Sequence, residues 1–273
     1  MELFRAIFLG VVQGLTEFLP ISSSGHLALA QALFGYEETG LTFEVFVHFG
    51  TVLSVLVAFR KDIAQILAAL FHGIFRPGQW KHRWNSDPNF KLNGMIVIGI
   101  IPAGVVGLLI EDWVDQAFQN PMLVGIMLLV TALILWSSQY AKTPDEDVDW
   151  KKSILIGLAQ TLAIIPGISR SGTTITAGLW LKLDPEYAAK FSFYLAIPVI
   201  LGASMLKFMD VLQVSLTIDQ IWALLGGTIA AFISGWIAII FLMKLLRKGK
   251  FSWFALYCAV IGLITIIVTG INT

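Results

Sequence analysis

Charge is what this sequence has least of. Asp, Glu, Lys and Arg make up 13 % of its 273 residues, against roughly 25 % in an ordinary soluble domain. So few polar groups cannot cover a water-facing surface, which excludes a soluble globular protein and leaves a chain whose surface faces lipid. Eighteen basic residues balance 18 acidic ones, so there is no basic footprint for nucleic acid. One cysteine, Cys258, excludes an intramolecular disulfide and any cysteine-based metal cluster. No small-residue cleavage site follows the first apolar run, so no cleavable signal peptide is expected and Met1 is read as the mature start or close to it. Apolar residues are abundant, at 57 % with a mean hydropathy of +0.80. The 19 Phe and nine Trp suit a lipid-facing perimeter with interfacial belts.

Long apolar stretches fall near 43–59, 92–110, 121–138, 191–207, 221–243 and 251–270. Each has the roughly 17–25 residues that a spanning helix needs, so six transmembrane helices are expected. Two further apolar segments are interrupted. Residues 3–34 carry Glu17-Phe-Leu-Pro20-Ile-Ser-Ser-Ser-Gly25-His26, and residues 153–181 carry Pro166-Gly-Ile-Ser-Arg170-Ser-Gly172-Thr-Thr174. Proline removes a helical hydrogen bond and glycine weakens the helix. Irregular backbone at membrane depth is tolerated only where protein or a water-filled cavity surrounds it. Both segments are therefore read as re-entrant helix–loop–helix hairpins that enter and leave on one side.

The distribution of charge tests that layout. Fifteen of the 18 basic residues fall in four loops: six in 60–91, three in 141–152, two in 182–190 and four in 244–250. With both interrupted segments re-entrant, all four loops lie on one face. The other face keeps Arg5 and Lys207 beside Glu111, Asp112, Asp115, Asp210 and Asp219, and the last base, Arg170, lies inside the second break. The positive-inside rule makes the basic face cytoplasmic and puts both termini outside. Letting only the second segment span would split the basic loops across both faces. The asymmetry thus supports that hairpin directly and the first by analogy.

The two breaks also repeat. Gly10, Gln13, Ser22 and Gly25 recur 147 residues later as Gly157, Gln160, Ser169 and Gly172. Each half of this single membrane domain, about 1–140 and about 150–273, reads as a hairpin plus three spans. Three is odd, so the second half is upside down relative to the first. The expected fold is an all-α inverted-topology repeat, which places its special site where the halves meet. The tips, 17–26 opening outward and 166–174 opening inward, should approach one another.

The tips hold the groups that can do chemistry. The first offers Glu17, Ser22, Ser23, Ser24 and His26; the second offers Ser169, Arg170, Ser171, Thr173 and Thr174. A carboxylate, an imidazole and a guanidinium inside a membrane are costly and point to function. Hydroxyl-rich turns that open helices present backbone N–H groups to an anion, and Arg170 adds planar donors suited to phosphate. Ser23 or His26 could be a nucleophile with the other assisting, and Glu17 could hold a divalent cation. Plainer roles exist for each: a buried Glu17–Arg170 ion pair joining the halves, serines that satisfy broken backbone, and His26 as a polar cap. His48, inside a span, reads as a packing or hydrogen-bonding residue; Glu44, near the outer start of the same span, reads first as a residue outside the site, with a role there as the alternative. His72 and His82 read as solvated surface, and the Gly104–Gly107 pair as close helix packing.

Gln13-Gly-Leu-Thr-Glu17-Phe-Leu-Pro-Ile-Ser-Ser-Ser-Gly-His26 and Pro166-Gly-Ile-Ser-Arg-Ser-Gly-Thr-Thr174 closely resemble the two signatures of the bacterial undecaprenyl-diphosphate phosphatase family, the BacA/UppP type. The resemblance extends over the whole chain, including Phe43-Glu44-Val45. It implies hydrolysis of undecaprenyl diphosphate to undecaprenyl phosphate and inorganic phosphate, recycling of the lipid carrier for peptidoglycan synthesis, bacitracin resistance, and a divalent cation, Mg²⁺ or Ca²⁺. It places the enzyme in the bacterial plasma (inner) membrane, with a polyprenyl diphosphate lipid as substrate and no nucleic-acid partner. Carried over position by position, the family's (Glu/Gln)-x-x-x-Glu motif falls on Gln13 and Glu17, its serine on Ser23, its histidine on His26 and its arginine on Arg170.

Glu17, Ser23, His26 and Arg170 are thus the expected catalytic set. Glu17 is the expected metal ligand, and Gln13, Ser22, Ser24, Ser169, Ser171 and Thr174 are the expected substrate contacts. Some members carry Glu where this chain has Gln13, so one carboxylate plus substrate phosphates is the better metal site here. The alternative reading is a lipid-carrier flippase or transporter built on the same inverted-repeat site. Oligomeric state is left open.

Overall fold

The computed structural model describes residues 3–34, 41–141, 147–211 and 216–272. The side chains of residues 31–34, 41, 111, 112, 115, 206–211 and 272 also lie outside the described set. Lys142 and the side chains of Glu111, Asp112, Asp115, Lys207 and Asp210, which entered the charge count, are therefore outside it.

The described residues form thirteen α-helices: α1 (Leu3–Phe18), α2 (Ser23–Phe34), α3 (Leu41–Ala58), α4 (Arg60–Ile74), α5 (Trp80–Ser86), α6 (Pro88–Leu109), α7 (Glu111–Phe118), α8 (Pro121–Ser137), α9 (Trp150–Leu162), α10 (Arg170–Trp180), α11 (Pro185–Val211), α12 (Ile218–Arg247) and α13 (Phe254–Asn272). Local chemistry starts several of them. Asp87 accepts from the backbone N–H groups of Asn89 and Phe90 ahead of Pro88 in α6, and Asn120 accepts from Leu123 N–H ahead of Pro121 in α8. An Asp or Asn cap followed by proline at the first helical position is a strong start signal. Thr217 and Gln220 close a capping box on α12.

Among the described residues five segments are long and apolar enough to cross a membrane by themselves: Pro88–Leu109, Pro121–Tyr140, Pro185–Met205, Ile218–Arg247 and Phe251–Ile271. The span expected at 43–59 is α3, which meets that test only together with α4, across a 93° bend. Length rather than polarity sets it apart, because the bend directly after Ala58 cuts the helix short. The 60–91 loop is itself helical. Ile63, Ile66, Ala69 and Gly73 form the buried stripe of α4 among its charges.

The molecule is apolar outside, and its largely apolar interior encloses a set of polar side chains. All nine tryptophans are exposed, as are leucines, isoleucines and phenylalanines along α1, α6, α12 and α13. Gln13, Glu17, Ser22, Ser169, Ser171 and Thr174 are buried. This is the distribution that lipid, rather than water, imposes.

Two sets of contacts organise the interior. Helix α1 packs along α12, and α9 along α6. A Cβ at Gly10 would overlap the carbonyl oxygen of Gly227, and a Cβ at Gly157 would overlap that of Gly99. Small residues let membrane helices approach this closely. Helices α8 and α13 pack together, and so do α3 and α11. Among the described residues the close packing expected at Gly104 and Gly107 is absent: nothing lies within 4 Å of a Cβ at Gly104, and only Ile164 lies within 4 Å, at 3.8 Å, of one at Gly107. Helix α6 meets α9 through Gly99 instead, which turns that pair away from the contact.

Candidate active site

Both interrupted segments break where proline, glycine and hydroxyls cluster. The first helix ends at Phe18 and α2 begins at Ser23; α9 ends at Leu162 and α10 begins at Arg170. Serine caps both restarts, Ser22 Oγ accepting from Gly25 N–H at 3.3 Å and Ser169 Oγ from Gly172 N–H at 3.1 Å. These are residues that the 147-residue offset relates. Ser22 holds φ at 70°, a left-handed conformation that is uncommon for a residue with a side chain and is concentrated at functional sites. Gly167 holds φ at 94°, where glycine is unstrained. Thr131 on α8 clamps the second break, donating to the Gly167 carbonyl at 2.8 Å and accepting from Ser169 N–H at 3.1 Å.

The breaks meet. Arg170 Nη2 donates to Glu17 Oε1 at 2.6 Å, with side-chain exposures of 15 % and 8 %. Ser171 Oγ donates to the Leu19 carbonyl at 3.2 Å, and a Cβ at Gly25 would lie 3.4 Å from Gly167 Cα. The other carboxylate oxygen, Glu17 Oε2, accepts from Ser23 Oγ at 2.6 Å and from Gln13 Nε2 at 3.1 Å. One buried carboxylate thus ties together Gln13, Ser23 and Arg170. Thr174 Oγ1 donates to the Arg170 carbonyl at 2.7 Å and lies 2.6 Å from Ser192 Oγ. Ser22 and Ser24 share a 3.2 Å hydroxyl contact, as do Ser169 and Ser171 at 3.3 Å.

His26 stands one turn further along α2. Its Nδ1 lies 2.8 Å from the Ser22 carbonyl and its Nε2 lies 2.8 Å from the Tyr257 hydroxyl. A carbonyl only accepts, so Nδ1 carries the proton; the Nε2 of the neutral ring then accepts from Tyr257 O–H. Among the described residues no hydrogen bond joins Ser23 to His26. Where Ser23 is the nucleophile, the group in place to take its proton is Glu17. His48 donates from Nδ1 to the Glu44 carbonyl on its own helix, at 2.8 Å. His72 and His82 are exposed, as expected.

Three partners had no sequence signal of their own: Tyr257 on α13, Ser192 on α11 and Thr131 on α8. Thr131 interrupts an apolar run, but Tyr257 shares α13 with Thr265 and Thr269, and Ser192 shares α11 with Lys190 and Tyr194, so no local contrast singles out those two.

A divalent cation finds a modest donor set. Among the described residues no three His, Cys, Asp or Glu side chains cluster. Gln13 Oε1 is buried without a hydrogen-bond partner, on the amide whose Nε2 bonds Glu17. A carboxylate and an amide carbonyl are the oxygen ligands that Mg²⁺ and Ca²⁺ accept, with substrate phosphates supplying others.

A family model described as bacitracin resistance protein BacA matches residues 6–264. Curated relatives named undecaprenyl-diphosphatase include proteins of Halothermothrix orenii (43 % identical, 99 % of this chain and 100 % of the relative), Christiangramia forsetii (44 %, 98 % and 98 %) and Bacteroides fragilis (44 %, 100 % and 100 %).

Proposed function

The chain belongs to the BacA family of bacitracin resistance proteins, and on that premise we propose that it hydrolyses undecaprenyl diphosphate to undecaprenyl phosphate and inorganic phosphate. The observation that carries this reading is the single carboxylate of Glu17 bonded at once to Ser23 and Arg170. A nucleophile, an acceptor for its proton and a phosphate-seeking guanidinium form one set.

The terminal phosphate enters between the breaks, and Arg170 exchanges part of its bond with Glu17 for phosphate oxygens. Glu17 Oε2, already accepting from Ser23 Oγ at 2.6 Å, takes the Ser23 proton. The Ser23 Oγ–P bond forms and the bond from phosphorus to the bridging oxygen breaks. Undecaprenyl phosphate leaves with that oxygen, its negative charge balanced by the proton from Glu17. Water then attacks phosphorus, losing a proton to Glu17; the phosphorus–Oγ bond breaks, Ser23 Oγ takes that proton back, and phosphate is freed. Arg170 and the N–H groups that begin α2 and α10 hold charge on the transferred group. Direct attack by His26 Nε2 is the competing route, and it requires the Tyr257 hydroxyl to turn aside first. Ser22, Ser24, Ser169, Ser171 and Thr174 line the phosphate's position, and the polyprenyl tail leaves laterally into lipid. Glu17 and the Gln13 carbonyl would hold Mg²⁺ or Ca²⁺, which would neutralise phosphate charge.

The surrounding architecture is six spans and two re-entrant hairpins in an inverted repeat. Its support is the paired contacts: α1 on α12 through Gly10 and α9 on α6 through Gly157, with α3–α11 and α8–α13 relating each half to the other. The protein lies in the bacterial plasma membrane with both termini and the site facing outward, where it recycles the carrier for peptidoglycan synthesis. Neither the relatives' names nor the site geometry favours the flippase reading.

The test is phosphate release from undecaprenyl diphosphate by detergent-purified protein, with and without EDTA, beside Arg170→Ala. Release that needs metal and disappears in the variant supports the reading. No release from folded wild-type protein in Mg²⁺ or Ca²⁺ refutes it.

A further inference from the structure

A second polar feature lies apart from the breaks. Where α3 bends into α4, a crevice of about 720 Å³ opens between that bend, the start of α11 and the end of α12. Five cations line it: Arg60, Lys61, Lys190, Lys244 and Arg247. Only two carboxylates oppose them, and both are engaged. Lys190 Nζ donates to Asp62 at 2.7 Å and the Tyr194 hydroxyl donates to the same oxygen at 2.9 Å. Arg247 holds Glu186 through two bonds, at 2.8 and 3.0 Å. Among the described residues Arg60, Lys61 and Lys244 pair with no carboxylate. The crevice therefore keeps an excess of three positive charges, from two helices that face each other across it.

Its walls have a different character. Ile239 and Met243 are buried at its base, while Trp236 and Ile240 are exposed and continue into the apolar outer face of α12 with Ile233, Ile237 and Phe241. A free phosphate would use the cations and leave this wall idle. An amphiphile uses both.

We propose that this crevice binds the phosphate-bearing headgroup of an anionic membrane lipid, its chains lying along α12 beside Trp236 and Ile240. The lipid belongs to the leaflet met by the basic loops, so the site is separate from the place where the diphosphate is cleaved. Bound there, it bridges α4 to α12 across the bend. The charge excess is local to the crevice, which distinguishes a site from the diffuse attraction of a basic face for anionic lipid.

The experiment titrates phosphatidylglycerol into the full-length protein in phosphatidylcholine-doped micelles, reading thermal unfolding and, by native mass spectrometry, retained lipid. Lys61→Gln with Lys244→Gln removes two exposed cations that pair with no carboxylate among the described residues. Arg76→Gln with Lys81→Gln removes two charges from the same 60–91 segment outside the crevice. The first pair should raise the phosphatidylglycerol concentration for half-stabilisation about tenfold or more, and the second pair less than about twofold. Equal losses from both pairs would overturn the site in favour of diffuse attraction. Stabilisation by glycerol 3-phosphate alone would overturn the lipid in favour of a small anion, and no preference of the wild type for phosphatidylglycerol would overturn both.

Discussion

Glu17 and Arg170 lie 153 residues apart in the chain and 2.6 Å apart in the fold, and their bond joins the two broken segments. At their depth each charge depends on the other. Removing one partner of a buried pair costs about 3–5 kcal/mol, whereas replacing both by apolar residues of similar volume is often close to neutral. Glu17→Leu and Arg170→Met should therefore each lower the thermal midpoint and abolish phosphate release. The double variant should recover most of the stability and none of the activity. An active double variant would make the pair a structural tie and move the chemistry elsewhere.

Tyr257 fixes the lone pair of His26. Tyr257→Phe keeps the ring, which stacks on the imidazole with centroids 5.6 Å apart, and removes only the hydroxyl. A neutral hydrogen bond is worth about 1 kcal/mol net, or roughly fivefold. If His26 Nε2 takes part in turnover, kcat should change by about that factor with KM nearly constant, and the same substitution should do nothing further in a His26→Ala background. Independent, additive effects in the double variant would disconnect Tyr257 from His26 function.

The breaks were legible because membrane helices rarely tolerate proline, glycine and clustered hydroxyls at mid-depth. The repeat of Gly10, Gln13, Ser22 and Gly25 at a fixed offset then pointed each break at the other. Glu17 and Arg170 could be paired on cost alone. What the chain hid was long-range or masked by charge. Tyr257 reaches His26 from 231 residues away, and no local pattern specifies which face of α13 turns inward. Helix α4 was concealed because Arg60, Lys61 and Asp62 open it and read as the end of the preceding span, while the inward stripe of Ile63, Ile66 and Ala69 follows in a segment too short to span. The Gly104–Gly107 pair misled in the opposite sense. Small residues permit close packing, but the rotation of α6 decides which glycine uses it, and Gly99 does.

That contrast can be measured. A side chain at Gly10 or Gly157 meets backbone carbonyl, which cannot give way. Overpacking of this kind costs about 1–3 kcal/mol, so Gly10→Ala and Gly157→Ala should each lower the unfolding midpoint in detergent. Gly104→Ala meets nothing and gains up to about 1 kcal/mol of helix propensity, so its midpoint should hold or rise. Similar losses at Gly10 and Gly157 are what the inverted repeat requires; a tolerant Gly157 would count against it.

Gln13 is the position where this chain's metal chemistry can be altered. Its Nε2 donates to Glu17 Oε2 and its Oε1 is buried without a partner. Gln13→Glu exchanges that donor for a second carboxylate against the first. Two such charges repel unless a proton or a cation lies between them, and a divalent ion gains an anionic ligand. The variant should unfold at a lower temperature than wild type in EDTA, regain stability as Mg²⁺ or Ca²⁺ is added, and reach half-maximal activity at a severalfold lower metal concentration. The wild type should show a smaller metal-dependent shift of its midpoint. If the variant's stability ignores both EDTA and added metal, Glu17 and residue 13 do not share a cation, and the requirement for one must be met by the substrate's own phosphates.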